Sequence, residues 1–278
     1  MRAAFFLCCL PLVAQPYPPP GALVDLGTYR VHLYCTGSGS PAVIVTGAGY
    51  SFDWALVQPE VAKFTRICTY DPAGFAWSDP GPGPECANRV AELHLLLAKA
   101  GIDGPYILAG LSYGALVARE YAAHYATEVA GVVLIDHAFL DPVDLNKPET
   151  PRRPNSPPVL ISQTPIVLTM EDISNFGNLP QRSRELHRWA DSLHPVMPSV
   201  ENARECATQL DGKRLGDKPL VVVSTLNDAP NYAPLQTSLL ALSKNHRQLF
   251  STKSFHAIQI DEPEVVVRAI RLVLESAR

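Results

Sequence analysis

The sequence predicts an α/β fold, a mostly parallel sheet covered by helices on both faces. Short, almost wholly apolar runs, AVIVTG after Pro41, GVVLID from Gly131 to Asp136 and PLVVVST from Pro219 to Thr225, read as strands buried on both sides. Stretches with helical spacing alternate with them, and strands joined through helices pair in parallel. The third observation is local. Tyr106–Ala109 is strand-like, Gly110-Leu111-Ser112-Tyr113-Gly114 follows, and Ala115–Ala118 begins a helical pattern, so a serine stands at a sharp strand-to-helix turn.

With 278 residues, 47% of them hydrophobic, the chain is long enough for one large core, and a single domain with an insertion is expected. A formal net charge of −4, without runs of like charge, offers no basic surface for nucleic acid and points to a small or neutral partner. Residues 1–20 read as a leader: Arg2, an apolar run from Ala3 to Ala14, then proline-rich sequence to Pro20. The run is too short to span a bilayer and fits a secretory signal. Export to the periplasm or beyond the cell is therefore expected, without stable membrane insertion, and a cytoplasmic protein is the alternative. Past the leader stand Cys35, Cys68, Cys86 and Cys206, with no CxxC spacing for zinc. Export makes one or two disulfides reasonable, and all three full pairings stay open.

In chain order, Ala22–Gly27 and Tyr29–Cys35 suggest an antiparallel hairpin at a sheet edge. The first buried strand follows Pro41, then Trp54–Phe64 has helical spacing and Arg66–Tyr70 returns to strand. The Pro-Gly cluster from Asp79 to Pro84 is a loop, and Val90–Leu97 marks an amphipathic helix ending before Gly101. After the serine turn, its helix and the strand to Asp136, the alternation stops. Residues 137–217 are rich in proline and carry two helical patterns, near Gln181–Leu193 and Ser199–Leu210. They read as a cap inserted into a core made of 21–136 and 218–278. The core resumes with Pro219–Thr225, a helix over roughly Pro234–Asn245, a short strand at Arg247–Ser251, and an amphipathic helix over Glu262–Ala277.

Serine is a weak nucleophile at neutral pH, so Ser112 needs a base within reach and a carboxylate to orient that base. His256 lies between the last strand and the last helix, at the carboxyl edge of the sheet, where ligands bind in open parallel sheets. Asp228 follows the strand ending at Thr225 and reaches the same edge, giving the order serine, acid, histidine. Asp136 also ends a strand and is the competing acid, ranked lower because its next residues enter the insertion. His32, His94, His124, His137, His187, His194 and His246 suit packing or surface roles. The backbone N–H of Tyr113 is expected to bind an oxyanion, with that of Ala48 as second donor from the small-residue loop Thr46–Ser51. The sequence contains no HExxH, no P-loop and no GxGxxG with an acidic partner, and neither a cofactor nor a metal is expected.

With these residues in hand, the chain resembles the α/β-hydrolase superfamily over essentially its whole length after the leader. The matching segments include VIVTGAGYSFDW (Val43–Trp54), YDPAGFAWSDPGPGP (Tyr70–Pro84), AGLSYGALVARE (Ala109–Glu120) and SFHAIQIDEPEVVVRAI (Ser254–Ile270). The resemblance implies the triad Ser112, Asp228 and His256, the oxyanion donors Ala48 and Tyr113, and a cap after Asp136. Thr46 stands where many relatives have His, Pro72 where Arg is common, and Ala76 where Gly is usual. A serine at the turn argues against the epoxide-hydrolase and haloalkane-dehalogenase branches, which would require an aspartate there. The expected function is therefore a serine hydrolase acting on a small-molecule acyl substrate. Amidase, aminopeptidase or acyltransferase chemistry on the same triad is an alternative, as is a non-catalytic ligand-binding protein of this fold.

Overall fold

The apolar runs become strands, and their alternating side chains feed two cores, one on each side of a single sheet. The computed structural model describes residues 17–47, 49–137, 174–225 and 232–278, with side chains from 236 onward in the last stretch. Among these the strands are β1 (Ala22–Asp25), β2 (Arg30–Thr36), β3 (Val43–Thr46), β4 (Ile67–Asp71), β5 (Tyr106–Leu111), β6 (Val129–Ile135), β7 (Leu220–Thr225) and β8 (His246–Ser251). They form one sheet in the order β1-β2-β4-β3-β5-β6-β7-β8. The β1–β2 and β2–β4 pairs are antiparallel, and every other pair is parallel.

On one face Ile44, Leu108, Val132 and Val222 pack under α2 (Cys86–Lys99), α3 (Tyr113–His124) and α5 (Val200–Gln209). On the other, Val43, Ile107, Val133 and Val221 meet the buried stripe of α8 (Pro263–Ala277) and the one-turn α1 (Gln58–Val61). Among the described residues two helices, α4 (Gln181–Asp191) and α5, lie in the connection between β6 and β7. The other helices described are α6 (Tyr232–Leu240) and the short α7 (Ile258–Asp261). Among the described residues no helix is long and apolar enough to cross a membrane.

The expected helix over Trp54–Phe64 is broken into a 3-10 turn at Ser51–Trp54 and α1. Pro59 explains the break: it has no N–H to donate to the turn before it, and it is tolerated only in the first turn of a new helix. Tyr17–Pro20, at the end of the expected leader, rests on the core. Trp77 Nε1 donates to the Tyr17 carbonyl at 2.8 Å, and the Arg182 guanidinium lies 4.3 Å above the Tyr17 ring. The cysteines pair as Cys35–Cys68, directly opposite across β2 and β4, and Cys86–Cys206, which joins the start of α2 to α5.

Candidate active site

β3 sits between β4 and β5, so the connections leaving its carboxyl end and that of β5 diverge and open a crevice at that edge. Ser112 stands in it. Its backbone has φ 54° and ψ −120°, a conformation that L-residues adopt only under constraint. The constraint is visible. Ser112 N–H donates to the Ile135 carbonyl of the neighbouring strand at 3.0 Å, and the chain turns at once into α3. The two flanking glycines make the turn possible, because a Cβ on Gly110 would overlap the Gly114 carbonyl and one on Gly114 would overlap the Thr46 carbonyl. Thr46, in place of a histidine, donates its hydroxyl to the Gly114 carbonyl at 2.7 Å and so ties the β3 loop to the turn. Tyr113 opens α3, so its backbone N–H has no intrahelical acceptor. Its phenol points away, donating to the Pro84 carbonyl, and burial pushes the phenol pKa up to about 12.

Leu111 and Ile135 are paired across β5 and β6, so Ser112 and Asp136 emerge side by side at the same level of the edge. Asp136 has φ 39° and is almost fully buried, and its N–H donates to the Val223 carbonyl at 2.7 Å. Its Oδ2 lies 2.6 Å from His256 Nδ1. A carboxylate only accepts, so Nδ1 is the donor of this contact, the arrangement that in a neutral ring leaves the lone pair on Nε2. Asp228, ranked first from the sequence, lies outside the described residues, as does Ala48. Among the described residues, the lower-ranked Asp136 places its carboxylate on His256. Its left-handed backbone stands just past the end of β6, where the sequence placed the entrance to the insertion. No hydrogen bond joins Ser112 Oγ to His256 here, and such bonds commonly close only around substrate.

The histidine loop is held from below. His256 N–H donates to Ser254 Oγ at 3.2 Å, and Ser254 Oγ in turn donates to Asp261 Oδ2 at 2.6 Å. Glu262 gathers Ser251 Oγ and the N–H groups of Thr252 and Lys253, the latter two at 2.6 and 2.8 Å. Burial opposes its ionisation, but these donors outweigh burial and hold its carboxyl below the usual carboxylate range. Beside His256 opens a cavity of about 560 Å³ lined by Asn175, Asn178, Lys253, Phe255 and Asp261. Behind Asp136, fully buried His137 accepts from Arg119 Nη1 at 3.1 Å. Burial, then the Arg119 charge, pushes the His137 pKa down to about 3, so this imidazole is neutral.

The loop after β3 is gripped by two carboxylates. Tyr50 N–H donates to Asp53 Oδ2 at 2.9 Å, and Ser51 N–H donates to Asp71 Oδ1 at 2.7 Å. Each carboxylate also meets a buried histidine: Asp71 meets His32 and Asp53 meets His187. These pairings were invisible in the sequence, where both histidines looked like packing residues, because each partner is brought in from another element by the fold.

Residues 42–269 match the sequence model of the alpha/beta hydrolase family. The uncharacterized protein YqjL of Bacillus subtilis is 26% identical over 243 residues, covering 83% of each chain. The 2-hydroxymuconate semialdehyde hydrolase of a Pseudomonas strain is 28% identical over 132 residues, 45% of this chain and 46% of that enzyme. Two further relatives are much longer. The chain spans 26% of an uncharacterized Schizosaccharomyces pombe protein and 30% of a probable transporter of Hormonema carpetanum. Among solved structures, a thermophilic esterase from Thermogutta terrifontis superposes with a TM-score of 0.66 at 21% identity, covering 92% of this chain and 97% of that one. A Pseudomonas aeruginosa protein described as a putative epoxide hydrolase gives a TM-score of 0.72 at 16% identity, covering 92% of this chain and 95% of that one.

Proposed function

The chain belongs to the alpha/beta hydrolase family, and from that membership we propose that it is a serine hydrolase cleaving an ester or related acyl bond of a small molecule. Ser112 is the nucleophile, His256 the general base, and Asp136, in place of Asp228, the carboxylate that orients the base. The single observation carrying this reading is the carboxylate fixed on His256 Nδ1 at 2.6 Å, one strand over from a constrained serine. As Ser112 Oγ bonds to the acyl carbon, its proton passes to His256 Nε2, and the charge appearing on the carbonyl oxygen is met by the N–H groups of Tyr113 and Ala48. Asp136 stabilises the imidazolium. When the acyl–oxygen bond breaks, His256 returns the proton to the leaving group. A water, deprotonated by the same imidazole, then releases the acid and restores Ser112. None of these steps calls for a cofactor.

In this reading residues 137–217 act as a cap over the site and select the acyl group. Two disulfides favour export of the protein. The match to 2-hydroxymuconate semialdehyde hydrolase favours a second reading, in which the same triad hydrolyses the substrate class named for that relative. A panel of p-nitrophenyl esters of graded chain length, the matching anilides and 2-hydroxymuconate semialdehyde separates the readings. Wild type is expected to turn over at least one ester and to be labelled by a fluorophosphonate, with both signals lost in Ser112→Ala. Folded wild type that neither labels nor turns over any of the panel would overturn the proposal.

A further inference from the structure

Helix α4 reaches the loop after β3 through two polar contacts, and both end on residues that fix that loop's backbone. Asp53 is buried, accepts the Tyr50 N–H on Oδ2, and meets His187 Nε2 of α4 through Oδ1. Tyr50 itself donates its phenol to Asp191 Oδ1, at the end of the same helix, at 2.7 Å. The His187 ring is boxed by Tyr50, Phe52 and Phe176, whose ring centroids lie 5.2, 5.0 and 5.1 Å away. Attaching a helix to an aromatic cluster needs no polar contact, and buried polar pairs often contribute no more to stability than apolar side chains of the same volume. What the carboxylate does that an apolar side chain cannot is hold the Tyr50 N–H. His187 supplies a polar neighbour for the other oxygen of that carboxylate in this aromatic surrounding.

We propose that Asp53 and His187 are positioning residues for acyl transfer: α4, through His187, keeps the Asp53 carboxylate in place, and Asp53 keeps the backbone of the oxyanion-side loop in the register that chemistry needs. The inserted segment is then a working part of the active site as well as a cover over it. This inference rests on the acyl-transfer reading, in which that loop supplies an oxyanion donor.

The experiment has two arms. In the first, amide hydrogen exchange is followed by mass spectrometry on full-length wild type, Asp53→Asn, His187→Leu, His187→Gln and Trp189→Leu, which loosens α4 without touching the pair. Exchange in the peptide covering residues 47–54 is expected to quicken at least tenfold in Asp53→Asn and His187→Leu, to recover toward wild type in His187→Gln, which still donates to Asp53, and to change little in Trp189→Leu. This arm needs no activity, so it stands even if the hydrolase reading fails. The second arm measures kcat and KM on the best ester from the panel, together with the rate of fluorophosphonate labelling. Asp53→Asn and His187→Leu are expected to lose at least tenfold in kcat and in labelling rate with KM within about threefold, and His187→Gln to regain much of the loss. Unchanged exchange in residues 47–54, or a kcat loss in Trp189→Leu matching that of His187→Leu, would overturn the proposal.

Discussion

At the scale of single residues, Asp136 and Asp228 are the two candidates for the acid that orients His256, and their substitution separates them. Asp136 Oδ2 sits on His256 Nδ1, so Asp136→Asn leaves a similar shape but presents an amide where the protonated Nδ1 needs an acceptor. A loss in kcat/KM of about 10²- to 10⁴-fold is expected, the range seen when a triad acid is made neutral. Asp228→Asn should cost less than about tenfold. A larger loss from Asp228→Asn than from Asp136→Asn would return the role to the residue the sequence favoured. Next along the chain, His137 sets a limit on acid stability. Its ordinary pKa of 6.5 falls to about 3 in the folded state. The unfolded chain therefore takes up a proton below pH 6.5 that the folded chain refuses until about pH 3. The stability this neutral imidazole contributes is complete above pH 6.5 and is lost steadily as pH falls toward 3, roughly 3 kcal/mol by pH 4. Urea unfolding of wild type and His137→Asn from pH 7 to pH 4 should show the variant flatter by that amount. Parallel curves would remove His137 from the account.

At the scale of elements, most of the fold was legible because its signals are local. The strands announce themselves as apolar runs, as in Val129–Ile135, and α8 by its inward stripe of Val266, Ile270 and Val273. The turn at Ser112 was legible for the same reason, since Gly110 and Gly114 are needed by contacts within a few residues of them or with the adjacent loop. What escaped the sequence depends on long-range partners. Nothing near His187 names Asp53, and nothing near Asp136 names His256, 120 residues away. The loop carrying His256 shows how one element steadies another. Glu262, at the start of α8, collects the donors of residues 251–253 and so fixes the segment that leads to His256. Because its folded pKa lies below the unfolded value, its contribution is present above the usual carboxylate range and is lost as pH falls through the depressed value. Glu262→Gln should abolish that part of the acid dependence and lower kcat several-fold at pH 7 by loosening the histidine loop. Wild-type kcat in a folded variant would show that the loop holds itself.

At the scale of the whole molecule, the two disulfides constrain different things. Cys35–Cys68 spans 33 residues and joins strands that are already neighbours in the sheet. Cys86–Cys206 spans 120 residues and fastens α5, in the connection between β6 and β7, to α2 of the core. In the unfolded chain a cross-link removes more conformational freedom the longer the loop it closes, and the difference between these two loops is about 1 kcal/mol in favour of the longer. Removing Cys86–Cys206 as the double alanine variant should therefore destabilise by about 2–5 kcal/mol, and by more than removing Cys35–Cys68 in the same way. For a chain of this size that corresponds to a fall in Tm of about 3–9 °C. Calorimetry of the two double variants under non-reducing conditions measures both. If the Cys35–Cys68 variant is the less stable of the two, loop closure is not what the longer bridge contributes. The short bridge, between half-buried Cys35 and buried Cys68, would then be acting through packing within the sheet.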